Sequence, residues 1–234
     1  MPWPFDGVFG AFELGIEQDL DSTTVKSSEI LDVGLIHCFS GRLGFCDPFV
    51  NLGHQMLEVH VTPGDYPVRV TYATVTFKEM DASEEREAYL SVILDPGAHP
   101  VRREVLVPEI EGISTHDLKP GEFFGIAVDA GTVAVVDALA VAGGMPADPG
   151  AWLEEVFDSG RPDSWFNQMD DPDHIRLGVA NLVLPRAQAG ENLILSHSGW
   201  GDGLYPLVGS YDSQDRLVAI SIDLDVIGEF ANPG

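Results

Sequence analysis

The stretch Pro67-Val68-Arg69-Val70-Thr71-Tyr72-Ala73-Thr74-Val75-Thr76-Phe77 alternates, with Val68, Val70 and Tyr72 on one parity. A period of two in β-branched and aromatic residues marks a strand with one face on a core. Similar runs lie on both sides of it. Residues 56–61 alternate through Leu57, Val59 and Val61 and stop at Pro63-Gly64, and residues 89–94 run into Asp95-Pro96-Gly97, an overt turn. Residues 34–39 and 43–46 read as a hairpin around Ser40-Gly41 that ends at Asp47-Pro48. Residues 123–128 and 132–138 read as a second hairpin, around Asp129-Ala130-Gly131. Further strands are expected over 101–107, 175–184, 192–196 and 217–227.

Two helical signals interrupt the strands. Asp148 precedes Pro149, an N-cap followed by proline at the first helical position, and predicts a helix over 151–157 that ends at Gly160. Asp163 is the expected cap of a second short helix through Met169, stopped by Asp171-Pro172. The fold class is therefore mainly β, a sandwich or mixed antiparallel sheet with one or two short helices around 149–170, α+β being the alternative. No repeat of solenoid period and no low-complexity linker divides the chain. One β-rich domain is expected over 30–234, preceded by an N-terminal extension of residues 1–29 that packs on it.

The 234 residues carry 38 Asp and Glu against 12 Lys and Arg, a formal charge of -26 with a pI near 4.2. With 44% hydrophobic and 21% charged residues this is a globular composition rather than an acidic tail. A folded chain of this mass has a surface of about 10,000 Å², so the excess charge amounts to about one unit per 400 Å². Such a surface argues against nucleic acid and against an anionic membrane as partners. It attracts cations and basic proteins, and it also serves solubility or salt adaptation. Much of the charge is expected in turns and loops, including 81–87 and 163–173.

The first basic residue is Lys26, so no secretory signal is expected, and the longest apolar stretch, 133–145, is broken by Asp137 and too short to span a bilayer. A cytoplasmic protein is expected. Cys38 and Cys46 match neither C-x-x-C nor a zinc spacing; a bridge across the first hairpin is geometrically open, but two reduced thiols are the expectation.

The most distinctive segment is Ser198-Gly199-Trp200-Gly201-Asp202-Gly203-Leu204-Tyr205-Pro206. Three glycines around one aspartate let backbone amides approach a ligand, and Asp202 offers oxygens to a hard cation. The plain structural alternative is an Asx-turn at Asp202 with Trp200 and Tyr205 packed beneath the loop. Asp129 begins a turn, while Asp137 and Asp223 interrupt apolar strands, where a carboxylate must be paired or hydrogen-bonded. If Asp47, Asp129, Asp137, Asp202 and Asp223 converged, oxygen ligation of Ca²⁺ or Mg²⁺ would follow, although no EF-hand spacing is present. The candidate binding residues are thus Gly201, Asp202, Gly203, Tyr205, Asp47, Asp129, Asp137 and Asp223. No catalytic residue, metal ligand or cofactor is assigned. Ser196, His197, Ser198 and Asp202 hold the ingredients of a triad, but close neighbours on one loop seldom converge as a triad requires. His197 is expected to be a hydrogen-bonded loop residue.

Taken in order, Phe45-Cys46-Asp47-Pro48, Thr62-Pro63-Gly64-Asp65-Tyr66-Pro67-Val68, Val128-Asp129-Ala130-Gly131-Thr132, the 198–206 segment with Val208-Gly209, and Ile222-Asp223-Leu224 resemble the bacterial domain-of-unknown-function family 4241. The resemblance runs over about residues 30–228. It implies a bacterial protein and one coherent domain, and it brings no catalytic residues with it. Members often carry Cys or Gly after Val-Asp-Ala-Gly-Thr; Val133 here continues an ordinary strand, which argues against a thiol site in that turn. Two functions are carried forward. The first is a non-enzymatic acidic binding or immunity-like protein for a basic partner. The alternative is a divalent-metal-binding domain or metal-dependent hydrolase built on the aspartate turns.

Overall fold

A computed structural model describes residues 11–80, 82–114, 118 and 122–227. Its strands in chain order begin with β1 (Glu17–Asp19), β2 (Thr23–Cys38), β3 (Arg42–Cys46), β4 (Leu57–His60), β5 (Gly64–Phe77) and β6 (Ala82–Ile93). They continue with β7 (Arg102–Val105), β8 (Glu109–Ile110), β9 (Gly125–Val128) and β10 (Thr132–Asp137). The last four are β11 (Val179–Val183), β12 (Asn192–His197), β13 (Gly203–Tyr211) and β14 (Leu217–Asp223). The protein is mainly β, as the alternation predicts. Among the described residues the strands form two antiparallel sheets. The larger runs β1-β2-β5-β6-β14-β13-β7, with β9 on the other half of β13, and the smaller runs β11-β12-β10-β3-β4-β8.

The core explains which strands alternate and which do not. Val68, Val70 and Tyr72 of β5 belong to one buried cluster with Val133, Val135, Val179 and Ile194 of the smaller sheet. Ala134, Val136, Leu193 and Leu195 point the other way, into a second cluster with Val141, Met145, Phe157 and Trp165 from the helical connection. The smaller sheet is thus covered on both faces, which is why β10 and β12 read as continuous apolar runs. The helical layer comprises α1 (Ala140–Gly144), a 3₁₀ turn (Pro149–Ala151), a π-helical turn (Leu153–Phe157) and α2 (Trp165–Asp170). Asp148 caps the 3₁₀ turn as expected, accepting from Gly150 N at 3.0 Å. The cap of α2 is Ser164 rather than Asp163, whose carboxylate instead takes Arg161 Nε at 3.0 Å. No helix among the described residues is long and apolar enough to cross a membrane.

Both expected hairpins are corrected. β2 and β3 lie in different sheets, as do β9 and β10, so the turns at 39–41 and 129–131 carry the chain from one sheet to the other. β2 has no edge to offer β3. One edge pairs with β5, and β1 takes the start of the other. Farther along that edge, Asn192 Nδ2 donates to Leu35 O at 2.8 Å and Asn192 Oδ1 accepts from His37 N at 3.0 Å. Asn181 Nδ2 donates to Val33 O at 3.2 Å, and the two asparagines bond each other at 2.7 Å. Two side-chain amides from the smaller sheet therefore occupy the place of a neighbouring strand. Two further expectations change with them. Residues 17–29 supply β1 and the first part of β2, while residues 1–10 lie outside those described. Residues 82–87 of the acidic run belong to β6 rather than a loop, and Asp81 is outside the described residues. Cys38 and Cys46 are buried and unbridged, on strands of different sheets.

Asn192→Ala leaves the Leu35 carbonyl and His37 amide without partners in a partly buried setting. A loss of about 2–3 kcal/mol is expected, seen as a lower urea midpoint with unchanged slope.

Candidate functional site

The five singled-out aspartates do not converge. Asp47, fully buried just past β3, accepts from Asp129 N at 3.0 Å and Ala130 N at 2.8 Å on one oxygen. Its other oxygen takes Phe49 N at 3.1 Å and Thr132 Oγ1 at 3.3 Å. Asp137, buried at the end of β10, accepts from Ser40 N at 2.8 Å, Ser40 Oγ at 2.5 Å and Leu139 N at 3.0 Å. Both carboxylates are saturated by the turns they hold. Asp129 and Asp202 are exposed. Asp223 is buried against Arg103 at 3.4 Å and caps Asp225 N at 3.1 Å. Among the described residues no group of three His, Cys, Asp or Glu is arranged to hold a metal ion.

The glycine-rich loop is held by its own carbonyl. Gly201 O accepts from Ser198 Oγ at 2.7 Å and Tyr205 OH at 2.9 Å, so Tyr205 packs under the loop while Asp202 makes no Asx-turn. Gly203 begins β13. The triad ingredients are spent likewise: Ser196 Oγ donates to the His197 carbonyl, and Ser198 Oγ to Gly201 O. His197 is the last residue of β12 rather than a loop residue.

The loop does border a pocket. A cavity of about 490 Å³ is lined by Tyr72, the 84–87 segment of β6, Gly131, Arg176, Leu177 and the 197–201 segment. Two strand irregularities build its floor. Tyr72 on β5 stands opposite Glu29 on β2 and Glu87 on β6, and the registers slip beside both pairs, leaving Ser28 and Ala88 unpaired. Without the bulge at Ala88, that alanine would face Tyr72 in place of Glu87; bulges re-aim side chains in this way beside functional sites.

Two glycines complete the arrangement. At Gly178 (φ 82°) a Cβ would come within 2.3 Å of the His197 ring, and at Gly199 (φ 68°) within 2.5 Å of the Glu87 carbonyl. Only a residue without a side chain lets those segments approach so closely.

The charges around the pocket are mostly paired. Arg176 bonds Glu29 at 2.7 Å and Glu85 at 2.8 Å, with its guanidinium 3.9 Å above the Tyr72 ring. Arg86 binds Glu84 and the Gly199 carbonyl and lies 4.4 Å over the Trp200 ring. Two floor groups are left underused. The Tyr72 hydroxyl is buried and has no hydrogen-bond partner, and burial, reinforced by the Glu87 charge, pushes its phenol well above the ordinary range. The Glu87 carboxylate, its side chain 12% exposed, faces His197 Nδ1 at 3.9 Å, too far for a hydrogen bond. Burial raises its pKa, partly offset by a hydrogen bond from its own backbone N–H and then by His197, Arg176 and Arg86. A pocket with underused polar groups and a shifted carboxyl is a candidate ligand site. The sequence reading reached its rim at Gly201 but not Tyr72, Glu87, Arg86 or Arg176, since only the folded register brings them together.

Tyr72→Phe removes a buried hydroxyl that bonds nothing, so melting should shift upward or stay within about 0.5 kcal/mol of wild type; a loss above 1 kcal/mol would reveal a hidden partner. The buried Asp223 gives a second prediction. Desolvation pushes its carboxyl up to about 7 despite Arg103, so the folded state holds a proton that the unfolded chain releases at ordinary carboxyl pH. Its contribution is present below about pH 4 and is lost as pH rises through about 7. The stability advantage of wild type over Asp223→Asn should therefore narrow across that window in urea titrations; an advantage that widens would mean the carboxyl is held ionised.

No curated protein and no solved structure matches the chain. A family model described as a protein of unknown function (DUF4241) matches residues 36–222, most of the chain. The match spans the segments from Phe45 to Gly209, and the chain belongs to the DUF4241 family.

Proposed function

We propose that this chain is a binding protein for a basic partner, engaged at the acid-lined pocket between β6 and the loop after β12. The observation that carries the reading is Glu87: a nearly buried carboxylate at the pocket floor whose neighbour His197 stands 3.9 Å away. Glu84 and Glu85 line the same opening, Trp200 (44% exposed) and Leu177 offer apolar surface at its rim, and the whole chain carries a charge of -26. A strongly negative molecule draws cationic partners into encounter, while an aromatic rim residue beside a desolvated acid is the usual anchor of an interface.

This reading is better supported than metal-dependent hydrolysis, because Asp47 and Asp137 are saturated by backbone and side-chain donors. The buried free thiols at Cys38 and Cys46 agree with a reducing, cytoplasmic setting. Burial pushes the Cys38 thiol up to about 11, which keeps it inert.

Short basic, neutral and acidic peptides titrated against the protein test the reading. Basic peptides should bind, weaken about tenfold or more between about 0.05 and 0.5 M salt, and lose affinity in Glu85→Gln and Glu87→Gln but not in the distant Glu154→Gln. Equal binding of all three classes, or equal loss in the distant variant, would overturn it.

A further inference from the structure

The floor of the pocket is more selective than its walls. Tyr72 and Glu87 are cross-strand neighbours, and each has unmet hydrogen-bonding capacity: a hydroxyl with no partner on a residue only 3% exposed, and a carboxylate that accepts from its own backbone N–H, with His197 Nδ1 beyond hydrogen-bond distance at 3.9 Å. A buried polar group without a partner is costly, so a group completing both is strongly favoured there. The remaining cations are engaged. Arg176 is shared between Glu29 and Glu85, and Arg86 is tied to Glu84 and Gly199 O. An incoming anion would meet Glu84, Glu85 and Glu87 with only His197 uncommitted.

We infer that the Tyr72–Glu87 floor is a subsite for an organic cation bearing N–H donors, an ammonium or guanidinium group. One N–H donates to the Glu87 carboxylate and another to the Tyr72 oxygen, which accepts, while Trp200 and Leu177 flank the cation's carbon chain at the entrance. The inference deepens the proposed function by naming the chemical group the same pocket takes, and it rests on that reading for the source being a partner's basic side chain. A cavity of about 490 Å³ admits such a side chain or a small free amine equally well.

Agmatine, which carries both cations on a short chain, is the probe, followed by calorimetry and by NMR of the folded protein. Saturable binding is expected, weakened at least tenfold in Glu87→Gln and about threefold to tenfold in Tyr72→Phe, a change that retains the ring on which Arg176 stacks. Tetramethylammonium, a cation without N–H donors, should bind at least tenfold more weakly, and inorganic phosphate should not bind. Calcium chloride should not compete, since the floor has one carboxylate with room rather than a ligand cage. The inference is overturned if agmatine does not bind, if Tyr72→Phe and Glu87→Gln both leave its affinity unchanged, or if tetramethylammonium or calcium binds as well as agmatine.

The two readings fail separately. Basic peptides that bind independently of Tyr72 and Glu87, with no agmatine site, would leave a charged docking face and remove the subsite. Agmatine binding that depends on both residues, with no preference for basic peptides, would leave a small-amine site and remove the protein partner.

Discussion

Two buried carboxylates hold the sheets in their relation to each other. β3 and β10 are antiparallel neighbours, with Cys46 opposite Ala134 and Leu43 opposite Asp137. Asp47, one residue beyond the end of β3, grips the turn that leads into β10. Asp137, the last residue of β10, grips the turn that leads into β3. The clasps are reciprocal, and each sits where the chain passes from the larger sheet to the smaller. A buried carboxylate is tolerated only when its oxygens are filled with donors, so the desolvation cost of each acid ties it to its turn. Those same oxygens are what an ion would have needed, which is why aspartates conspicuous in the sequence turn out to be joinery.

Much of the strand pattern is legible in the residues themselves. The alternation of 67–77 locates β5, and the unbroken apolar runs at 133–136 and 193–195 are what a sheet covered on both faces produces. Pairing is less legible. Ser40-Gly41 and Asp129-Ala130-Gly131 have the composition of hairpin turns, and nothing local distinguishes a turn that reverses a strand from one that changes sheets. That difference is set by carboxylates far along the chain, Asp137 for the first and Asp47 for the second. The beginning of β2 also escapes a periodicity reading, because the bulges near Ser28 and Val33 break its alternation.

The pocket was hidden for a related reason. Glu84 to Glu87 has the composition of a solvated run, and the first three residues are indeed at or near the surface. Glu87 differs because the extra residue at Ala88 sets it opposite Tyr72, and the irregular register on β2 sets Glu29 there as well. Arg176 and His197 arrive from the turn before the smaller sheet's β11 and from β12, so the site joins five separate parts of the chain. A sequence shows each charge, but which carboxylate is left with room for a further donor is a property of the assembled register.

The asparagine pair at 181 and 192 has a consequence beyond holding the sheets together. An open strand edge is a template for pairing with another chain, and proteins usually protect it with charge, proline or a covering segment. Here the carbonyls of Val33 and Leu35 and the amide of His37 are answered by side-chain amides that mimic an adjoining strand. The longest of the described strands is thereby closed to recruitment by a second copy along that part of its edge. Protection against edge-to-edge aggregation and strand exchange is built into the same three hydrogen bonds that join one sheet to the other.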